Sequence, residues 1–284
     1  MTRSGDRAAL NGWQVIGRIE DIPPGRTRST RLLGQDIIAR RDPGGTVSVT
    51  EADNGNRSLP VQERYGHVWT SLGTPERDLL DMPEFAEEGR RLITCGGITV
   101  RTSPLRIVEN FLDLAHFPYV HTDILGAEPQ TGVEDYKVEI RQPEDEIWAT
   151  ECRFFQPQAA KSASGGQISD YMYRVTSPFV TILYKTCPIR DGMWDLIGLF
   201  VQPMDEEICD VHSFVLVFDE ANSDEAMLHF QQMIFLQDRS ILENQLPARL
   251  PLNPRDECAI TADRTSLVYR RWLRDKGLSF GAIP

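Results

Sequence analysis

The feature that most constrains the fold is a run of short alternating segments followed by one long helix. Between residues 132 and 219, apolar and polar residues alternate, which is typical of strands with one buried face. The predicted strands cover residues 136–141, 147–155, 171–175, 179–186, 194–202 and 211–218. A connection rich in Pro, Ala, Ser and Gly, residues 156–169, interrupts them. The pattern predicts an α+β fold in which an antiparallel meander packs one face on a helix.

That helix is predicted over residues 224–245. Ser223 is a suitable N-cap, acidic residues occupy the first turn, and Pro247 ends the pattern. Asp238 falls on the apolar stripe of the helix, not on its solvent face. An unpaired carboxylate is costly in such a place, so Asp238 requires a cation. That cation is either an arginine or lysine of the sheet or a bound metal ion.

A second group of polar residues consists of Asp113, His116 and His121. A helix is predicted over residues 105–115, and it would place Asp113 and His116 on one face, three residues apart. Pro118 is predicted to end or kink this helix. The bent chain would then bring His121 back beside His116.

These three residues are either structural side chains or part of a metal site. A pair of histidines five residues apart is more often made of packing or surface side chains, and Asp113 alone could be a carboxylate on a helix surface. Two neutral imidazoles that converge beside open positions suit a divalent first-row metal, provided that an anionic ligand completes the set. Asp238 is the candidate for that third ligand.

The whole string Glu109-Asn-Phe-Leu-Asp-Leu-Ala-His-Phe-Pro-Tyr-Val-His121 resembles the mononuclear iron signature of the Rieske-type non-haem iron oxygenases. Residues 237–245 and 262–273 are similar to the family segments that supply the iron-binding carboxylate and that end the catalytic domain. The resemblance implies a helix-grip (Bet v1/START-like) catalytic domain over residues 95–284, with O2 as co-substrate. The ligands that it implies for a mononuclear Fe(II) are His116, His121 and Asp238.

The first 94 residues resemble the opening of a Rieske domain, which in this family carries a [2Fe–2S] cluster on two Cys and two His. The likeness lies in Trp13-x-Val15 and in residues 21–25, 33–36 and 63–69. The cluster motifs C-x-H and C-x-x-H are absent, because residues 1–94 contain no cysteine and a single histidine, His67. We therefore expect no [2Fe–2S] cluster in this chain. Residues 1–94 would form a truncated β region, with residues 50–60 bridging the gap.

The resemblance implies a monooxygenase whose electrons come from NADH through a separate reductase that carries a Rieske [2Fe–2S] domain. Asp113 matches the family residue between cluster and iron, and it either receives the cluster-ligand histidine of the docked partner or only orients His116. A catalytic subunit without its own cluster is similar to the methylxanthine N-demethylases of bacterial caffeine degradation. That likeness implies conversion of 7-methylxanthine to xanthine and formaldehyde. It also implies a trimer-based homo- or hetero-oligomer, with or without an accessory subunit.

Gln231 and Phe235 share the predicted face of Asp238 and are candidate substrate-binding residues. They would hydrogen-bond to a flat N-methylated heterocycle and stack on it, with core packing as the alternative for Phe235. Other functions stay open. One is an O-demethylase or hydroxylase of another small aromatic, and another is a metal-free helix-grip protein that binds an apolar ligand. A non-catalytic scaffold subunit is disfavoured, since it has no use for the three ligands.

Charge and cysteine content limit the partners and the cellular compartment that we expect. The net charge of −12 argues against nucleic acid or an anionic membrane surface as partner. The five cysteines are far apart and show no metal-ligand or redox spacing, which fits free thiols in a reducing cytoplasm. The N-terminus has no apolar signal region, and no apolar run approaches the roughly 20 residues of a membrane helix. We expect a cytoplasmic protein.

Overall fold

The computed structural model describes residues 6–53, 57–157 and 166–284. Its N-terminal part consists of a short helix and two small antiparallel sheets. The elements are α1 (Arg7–Leu10), β1 (Gln14–Arg18), β2 (Thr27–Leu32), β3 (Gln35–Arg41), β4 (Val47–Glu51), β5 (Ser58–Leu59), β6 (Val61–Arg64) and β7 (His67–Thr70). One sheet has the order β1-β7-β6, and the other has the order β2-β3-β4-β5. The β character predicted for this region is confirmed.

Within this region, β2 and β3 form a hairpin. The chain reverses at Leu33 and Gly34, whose φ angles are 48° and 79°, and β2 pairs with β3 on either side. The Leu33 amide donates to the carbonyl of Pro203 at 2.7 Å, and the Gly34 amide donates to that of Met204 at 2.8 Å. These bonds stabilise a left-handed turn that Leu33 would not adopt by itself, and they fasten the small sheet to the large one.

Seven antiparallel strands form the main sheet of the described residues. They are β8 (Arg91–Val100), β9 (Lys137–Arg141), β10 (Glu146–Gln156), β11 (Gln167–Ser177), β12 (Val180–Thr186), β13 (Trp194–Asp205) and β14 (Ile208–Val217). Their order is β8-β14-β13-β12-β11-β10-β9, so each strand from β9 to β14 pairs with the next along the chain. The predicted antiparallel meander of six strands is confirmed.

The edge strand β8 is not among the predicted strands. Gly96 and Gly97 interrupt its apolar pattern, and the pairing of β8 with β14 shifts register there because Gly96 has a φ of 78°. The boundary predicted between residues 94 and 95 falls inside β8. A division before Arg91 fits the structure better.

Two predicted connections lie partly outside the described residues. The connection over 156–169 is shorter than predicted, because β10 and β11 extend into both of its ends. Its residues 158–165 are outside the described part of the chain, as are residues 54–56 of the bridging segment.

The remaining elements cover one face of the main sheet or close the chain. They are α2 (Pro104–Leu112), α3 (Phe117–Val120), α4 (Asp224–Leu242), β15 (Leu250–Pro251), α5 (Arg264–Asp275) and β16 (Ala282–Ile283). α4 packs across β8 and β14 and touches α2, which gives the predicted helix-grip arrangement. Of the described helices, none has the length and apolarity needed to cross a membrane.

The limits of α4 follow from its capping contacts. Ser223 Oγ accepts a hydrogen bond from the Ala226 amide at 3.2 Å, so the predicted N-cap is confirmed. The helix ends at Leu242, three residues before the predicted end at 245. The next residue, Glu243, accepts a hydrogen bond from the Arg101 amide at 3.1 Å, which fastens the end of α4 to the chain after β8.

Buried ion pairs join α2 to α5. Arg106 lies 3.0 Å from Glu109 and 2.6 Å from Glu257, and Arg270 lies 2.6 Å and 2.5 Å from the same two carboxylates. Each charge thus has two partners of opposite sign, which offsets the cost of burying it. The network fixes α2, whose C-terminal end begins the candidate site.

Candidate metal centre

Asp113 ends α2 and shapes the segment that follows. It is the C-cap residue, with φ −90° and ψ 128°. Its carboxylate accepts hydrogen bonds from the amides of Ala115 at 2.8 Å and His116 at 3.2 Å. The prediction of one helix over residues 105–115 is therefore wrong at its end, because this side chain competes for the backbone donors. Asp113 and His116 meet across a turn, not along a helix face.

The short helix α3 brings the two histidines together. It begins at Phe117 and has Pro118 in its first turn, where a missing N–H sacrifices no helical hydrogen bond. The predicted role of Pro118 is thus wrong, since it helps to start a helix and does not end one. His116 is the N-cap of α3 and His121 is its C-cap. The predicted return of His121 to His116 is present, by this different route.

His116, His121 and Asp238 converge on one point. The Nε2 atoms of the two histidines are 3.3 Å apart. Asp238 Oδ1 lies 3.3 Å from Nε2 of His116 and 3.0 Å from Nε2 of His121. Asp238 reaches this point from the buried side of α4. Within the described ranges, no other group of three His, Cys or acidic side chains brings its ligand atoms close enough to hold a metal ion.

The other ring nitrogen of each histidine is held by an oxygen acceptor. Asp113 Oδ2 lies 3.0 Å from Nδ1 of His116, and Gln237 Oε1 lies 2.8 Å from Nδ1 of His121. Acceptors at Nδ1 place the ring proton there and leave both Nε2 lone pairs facing Asp238. Gln237 was not predicted. It precedes Asp238 in the sequence, but only the position of α3 shows that it reaches a histidine.

This donor set fits a divalent metal. Two imidazole lone pairs and a carboxylate oxygen face one another, and they repel unless a cation lies between them. No lysine or arginine among the described residues pairs with Asp238, so the sheet does not supply the cation that its burial requires. Burial lowers the pKa of His116, but hydrogen bonds to Asp113 and Asp238 outweigh it and raise the pKa to about 9.

The pKa of Asp238 shows the same balance. Burial raises it, but the adjacent imidazoles of His116 and His121 outweigh this and lower it to about 2. A carboxylate that stays ionised while it is buried is suited to bind a metal as an anionic ligand.

A cavity opens beside His116, His121 and Asp238. Gln231 and Phe235 both line it from α4, as predicted for residues on the face of Asp238. Phe235 also belongs to the buried core, so stacking and packing are compatible roles. The opposite wall, on the main sheet, carries Tyr173 and Lys185. The sequence pattern does not distinguish these two residues, because alternation marks an inward strand position without indicating what it faces.

A second, more polar cleft of about 680 Å³ lies on the other side of Asp113. Its walls come from α2, α5 and the segment between 254 and 263. The Asp113 side chain is 26% exposed, and it contacts His116 while lining this cleft. Burial raises the pKa of Asp113, but hydrogen bonds from His116 outweigh it and lower the pKa below its ordinary value. Asp113 is thus an ionised group between the surface and the histidines.

The class of protein follows from the fold, the site and a family match. Residues 100–277 match the C-terminal domain of vanillate O-demethylase oxygenases. This match covers both histidines, Asp113 and Asp238. The chain belongs to the Rieske-type non-haem iron oxygenases, a family that uses iron and O2.

Individual relatives place the chain more closely. It is 47% identical over 96% of its length to a probable methylxanthine N7-demethylase, NdmC, of Pseudomonas sp. (strain TJI-51), and it covers 96% of that protein. It is 25% identical over 75% of its length to the methylxanthine N1-demethylase NdmA of Pseudomonas putida, where the match covers 59% of the relative. The chain is therefore related to oxygenase components that demethylate methylxanthines.

Solved structures support the fold. NdmA of Pseudomonas putida superposes with a TM-score of 0.75 at 16% identity, over 96% of this chain and 92% of NdmA. Dicamba monooxygenase in complex with 3,6-dichlorosalicylic acid superposes with a TM-score of 0.75 at 15% identity, over 94% of this chain and 97% of that one. At these identities the likeness shows the fold alone.

Proposed function

We propose that this chain is the O2-dependent oxygenase component that removes the N7-methyl group of 7-methylxanthine. The observation that carries the proposal is its 47% identity, over nearly the whole chain, to a probable methylxanthine N7-demethylase. In the reaction, one atom of O2 enters a C–H bond of the N-methyl group. The other atom leaves as water, using two electrons and two protons. The resulting hemiaminal breaks its C–N bond and yields xanthine and formaldehyde.

Fe(II) is the metal proposed for the site. Two imidazoles and one carboxylate are the ligand set of non-haem iron oxygenases, which leaves other positions open. When bound, iron supplies the activation of O2. The residues of this chain hold and orient it: His116, His121 and Asp238 are the ligands, while Asp113 and Gln237 fix the two imidazole rings.

The cavity supports a flat heterocycle as substrate. Phe235 offers an aromatic ring and Gln231 offers both a donor and an acceptor, on the α4 face that carries Asp238. A ring held between α4 and the main sheet would present its methyl group to the metal centre. The apolar walls would exclude water from the reacting carbon.

Electrons are proposed to come from NADH through a separate reductase with a Rieske [2Fe–2S] domain. Residues 1–94 lack the cysteines that a cluster needs, and the only histidine among them, His67, is buried in β7 against His212. The polar cleft beside Asp113 is the proposed docking place for the cluster domain. A trimer-based assembly, an accessory subunit and a cytoplasmic location stay predictions.

The proposal is tested by formaldehyde release. The purified protein is loaded with Fe(II) and supplied with NADH, O2 and a reductase that carries a Rieske domain. We expect equal amounts of formaldehyde and xanthine from 7-methylxanthine, and little from the isomers methylated at N1 or N3. Absence of formaldehyde from every methylxanthine would overturn the proposal.

The metal assignment has its own test. Asp238→Ala should lose bound iron and formaldehyde release together, because two neutral ligands remain and the anionic one is gone. Glu225→Ala is the matched control, since Glu225 is an exposed acid on the same helix. Iron retained at the wild-type level by Asp238→Ala would show that Asp238 is not a ligand. Absence of iron from the wild-type protein would favour a metal-free ligand-binding protein with the same fold.

A second candidate function is O-demethylation of a small aromatic. The match of residues 100–277 to a vanillate O-demethylase domain favours it. Both reactions release formaldehyde, so the substrate panel has to include O-methylated benzoates beside the methylxanthines. Formaldehyde from the benzoates alone would support this second function.

A further inference from the structure

Tyr173 and Lys185 are buried polar side chains on the cavity wall that lack partners in the described part of the chain, and the hydroxyl of Tyr171 beside them is a third such group. Tyr173 is 1% exposed and Lys185 is 8% exposed, and both line the cavity beside the three ligands. The Tyr173 hydroxyl has no hydrogen-bond partner, and the Lys185 ammonium forms neither a hydrogen bond nor an ion pair with a described residue. Burying such groups without partners is costly, so a partner is expected when the cavity is filled.

The strand register places the two groups together. Tyr173 of β11 lies opposite Leu183 of β12, and Tyr171 lies opposite Lys185. Tyr173 and Lys185 are therefore diagonal neighbours whose side chains leave the same face of the sheet. Gln231 faces them from α4 across the cavity. A ring in this space would meet polar groups from both walls.

Lys185 is not neutralised by its nearest acid. Asp195 lies opposite it on β13, but the two side chains form no ion pair in the described structure. Burial lowers the pKa of Lys185 to about 8, and the charge of Asp195 opposes this only in part. The side chain is mostly protonated at pH 7, so a positive charge borders the cavity.

The chemistry of these groups defines a ligand. A xanthine with a free N–H on its six-membered ring can lose that proton, which spreads negative charge onto the ring oxygens. A fully N-methylated xanthine has no such proton and stays neutral. An ammonium and a phenol bind an anionic oxygen more strongly than a neutral carbonyl.

We propose that Lys185 and Tyr173 are specificity-determining residues that bind a ring oxygen of the substrate and select xanthines with a free, ionisable N–H over fully methylated ones. This inference rests on the proposed function and adds to it the recognition of the ring. The cavity wall formed by the main sheet then binds the ring oxygens, and the methyl group lies on the side of the metal centre.

Steady-state kinetics with 7-methylxanthine and caffeine test the proposal. Lys185→Met should raise KM for 7-methylxanthine about 10- to 100-fold, the effect of losing one charged hydrogen bond, while kcat stays within about threefold. KM for caffeine should change much less, so discrimination between the two substrates should fall. Tyr173→Phe should raise KM for 7-methylxanthine by about 3- to 10-fold, as for a neutral hydrogen bond.

Direct binding separates this inference from the proposed function. Xanthine has no methyl group to lose, so its Kd can be measured by titration whether or not the enzyme turns over. Lys185→Met should weaken xanthine binding by the same factor as it raises KM, and Lys185→Gln, which keeps a hydrogen-bond donor, should weaken it less. Lys137→Met, at an exposed lysine of β9, should change nothing.

Two outcomes would overturn the inference. One is an unchanged xanthine Kd in Lys185→Met and Lys185→Gln, which would make Lys185 a counter-charge for Asp195 only. The other is an equal loss of affinity for 7-methylxanthine and caffeine, which would show that ionisation of the ring plays no part. If wild-type protein releases no formaldehyde from any substrate but binds xanthine, and Lys185→Met weakens that binding, the proposed function fails while the assignment of Lys185 stands.

Discussion

Oε1 of Gln237 lies 2.8 Å from Nδ1 of His121. Gln237 is the residue before Asp238, so two successive positions of α4 serve the centre in different ways. Asp238 is a proposed metal ligand, and Gln237 orients another proposed ligand, His121, at the end of α3. The relative position of α3 and α4 is thus fixed at the metal site itself.

Gln237→Leu should weaken iron binding about 10- to 100-fold, because His121 then lacks the acceptor that fixes its tautomer and ring plane. Competitive titration with a chelator measures the affinity. Gln237→Glu keeps an oxygen acceptor and should retain most of it. Equal affinities for wild type and Gln237→Leu would show that the hydrogen bond does not orient the ring.

Gly126→Ala should damage the centre from outside the ligand set. A Cβ atom at Gly126 would lie 2.7 Å from the Pro118 nitrogen and 3.0 Å from the Phe117 carbonyl carbon, both backbone atoms. Relief of this overlap moves α3 and its histidines, so we expect a loss of iron affinity and of about 1–3 kcal/mol in the free energy of unfolding. Chelator titration and urea unfolding measure the two effects.

Gly132→Ala is the control for that substitution, since a Cβ atom there meets nothing within 4 Å. It should leave both quantities unchanged. Wild-type iron affinity in Gly126→Ala would mean that the loop yields without moving the histidines.

Asp113→Asn separates two roles of Asp113. Asparagine keeps an oxygen acceptor for His116 and removes the charge beside the polar cleft, so iron content should stay near the wild-type level. If Asp113 passes electrons from the docked reductase, formaldehyde release driven by NADH should fall roughly tenfold or more. Release driven by hydrogen peroxide, which supplies oxygen and electrons together, should be unaffected.

An equal fall of both activities in Asp113→Asn would mean that Asp113 only orients His116. NADH-driven release at the wild-type rate would contradict its role in electron transfer.

The buried pair His67 and His212 should make the protein sensitive to acid. Burial lowers the pKa of His67 from 6.5 to about 4, although a hydrogen bond to the Tyr65 carbonyl opposes this. Burial also lowers the pKa of His212. The unfolded chain therefore binds more protons than the folded one between about pH 6.5 and pH 4. The contribution of His67 to the free energy of unfolding is fully present above about pH 6.5. It decreases by about 3 kcal/mol as the pH falls to about 4.

Urea unfolding at several pH values measures this slope. His67→Gln should flatten it, leaving the part that belongs to His212. His229→Gln, at an exposed histidine, should leave it as in the wild type. A wild-type slope in His67→Gln would show that His67 does not titrate with unfolding.

The sequence predicts the structure best where the residues of a single helix or strand determine it. The period of α4 places Asp238 inward, and alternation gives the six strands of the meander. The sequence predicts less well where a side chain overrides the backbone pattern. Helical spacing continues past Leu112, but the Asp113 carboxylate takes the amides that would continue the helix.

The features that could not be predicted depend on contacts between elements that are distant in the sequence. Gln237 differs from other glutamines of α4 only because α3 lies beside it. Lys185 occupies one of several inward-facing strand positions. Only the structure shows that it lines the cavity and that its ammonium group forms no ion pair with a described residue. β8 was missed because its glycines interrupt the pattern, and its pairing with β14 compensates for them.

Residues proposed to bind the substrate and the metal lie along the same helix. Gln231 and Asp238 are two turns apart on α4, a rise of about 10.5 Å. A longer or shorter side chain at Gln231 would shift the bound ring along the helix and change which ring nitrogen carries the methyl group over the metal. Because the ring-binding position and the metal ligand lie on different turns of one helix, a single substitution can change which N-methyl group is removed and leave the metal centre unaltered.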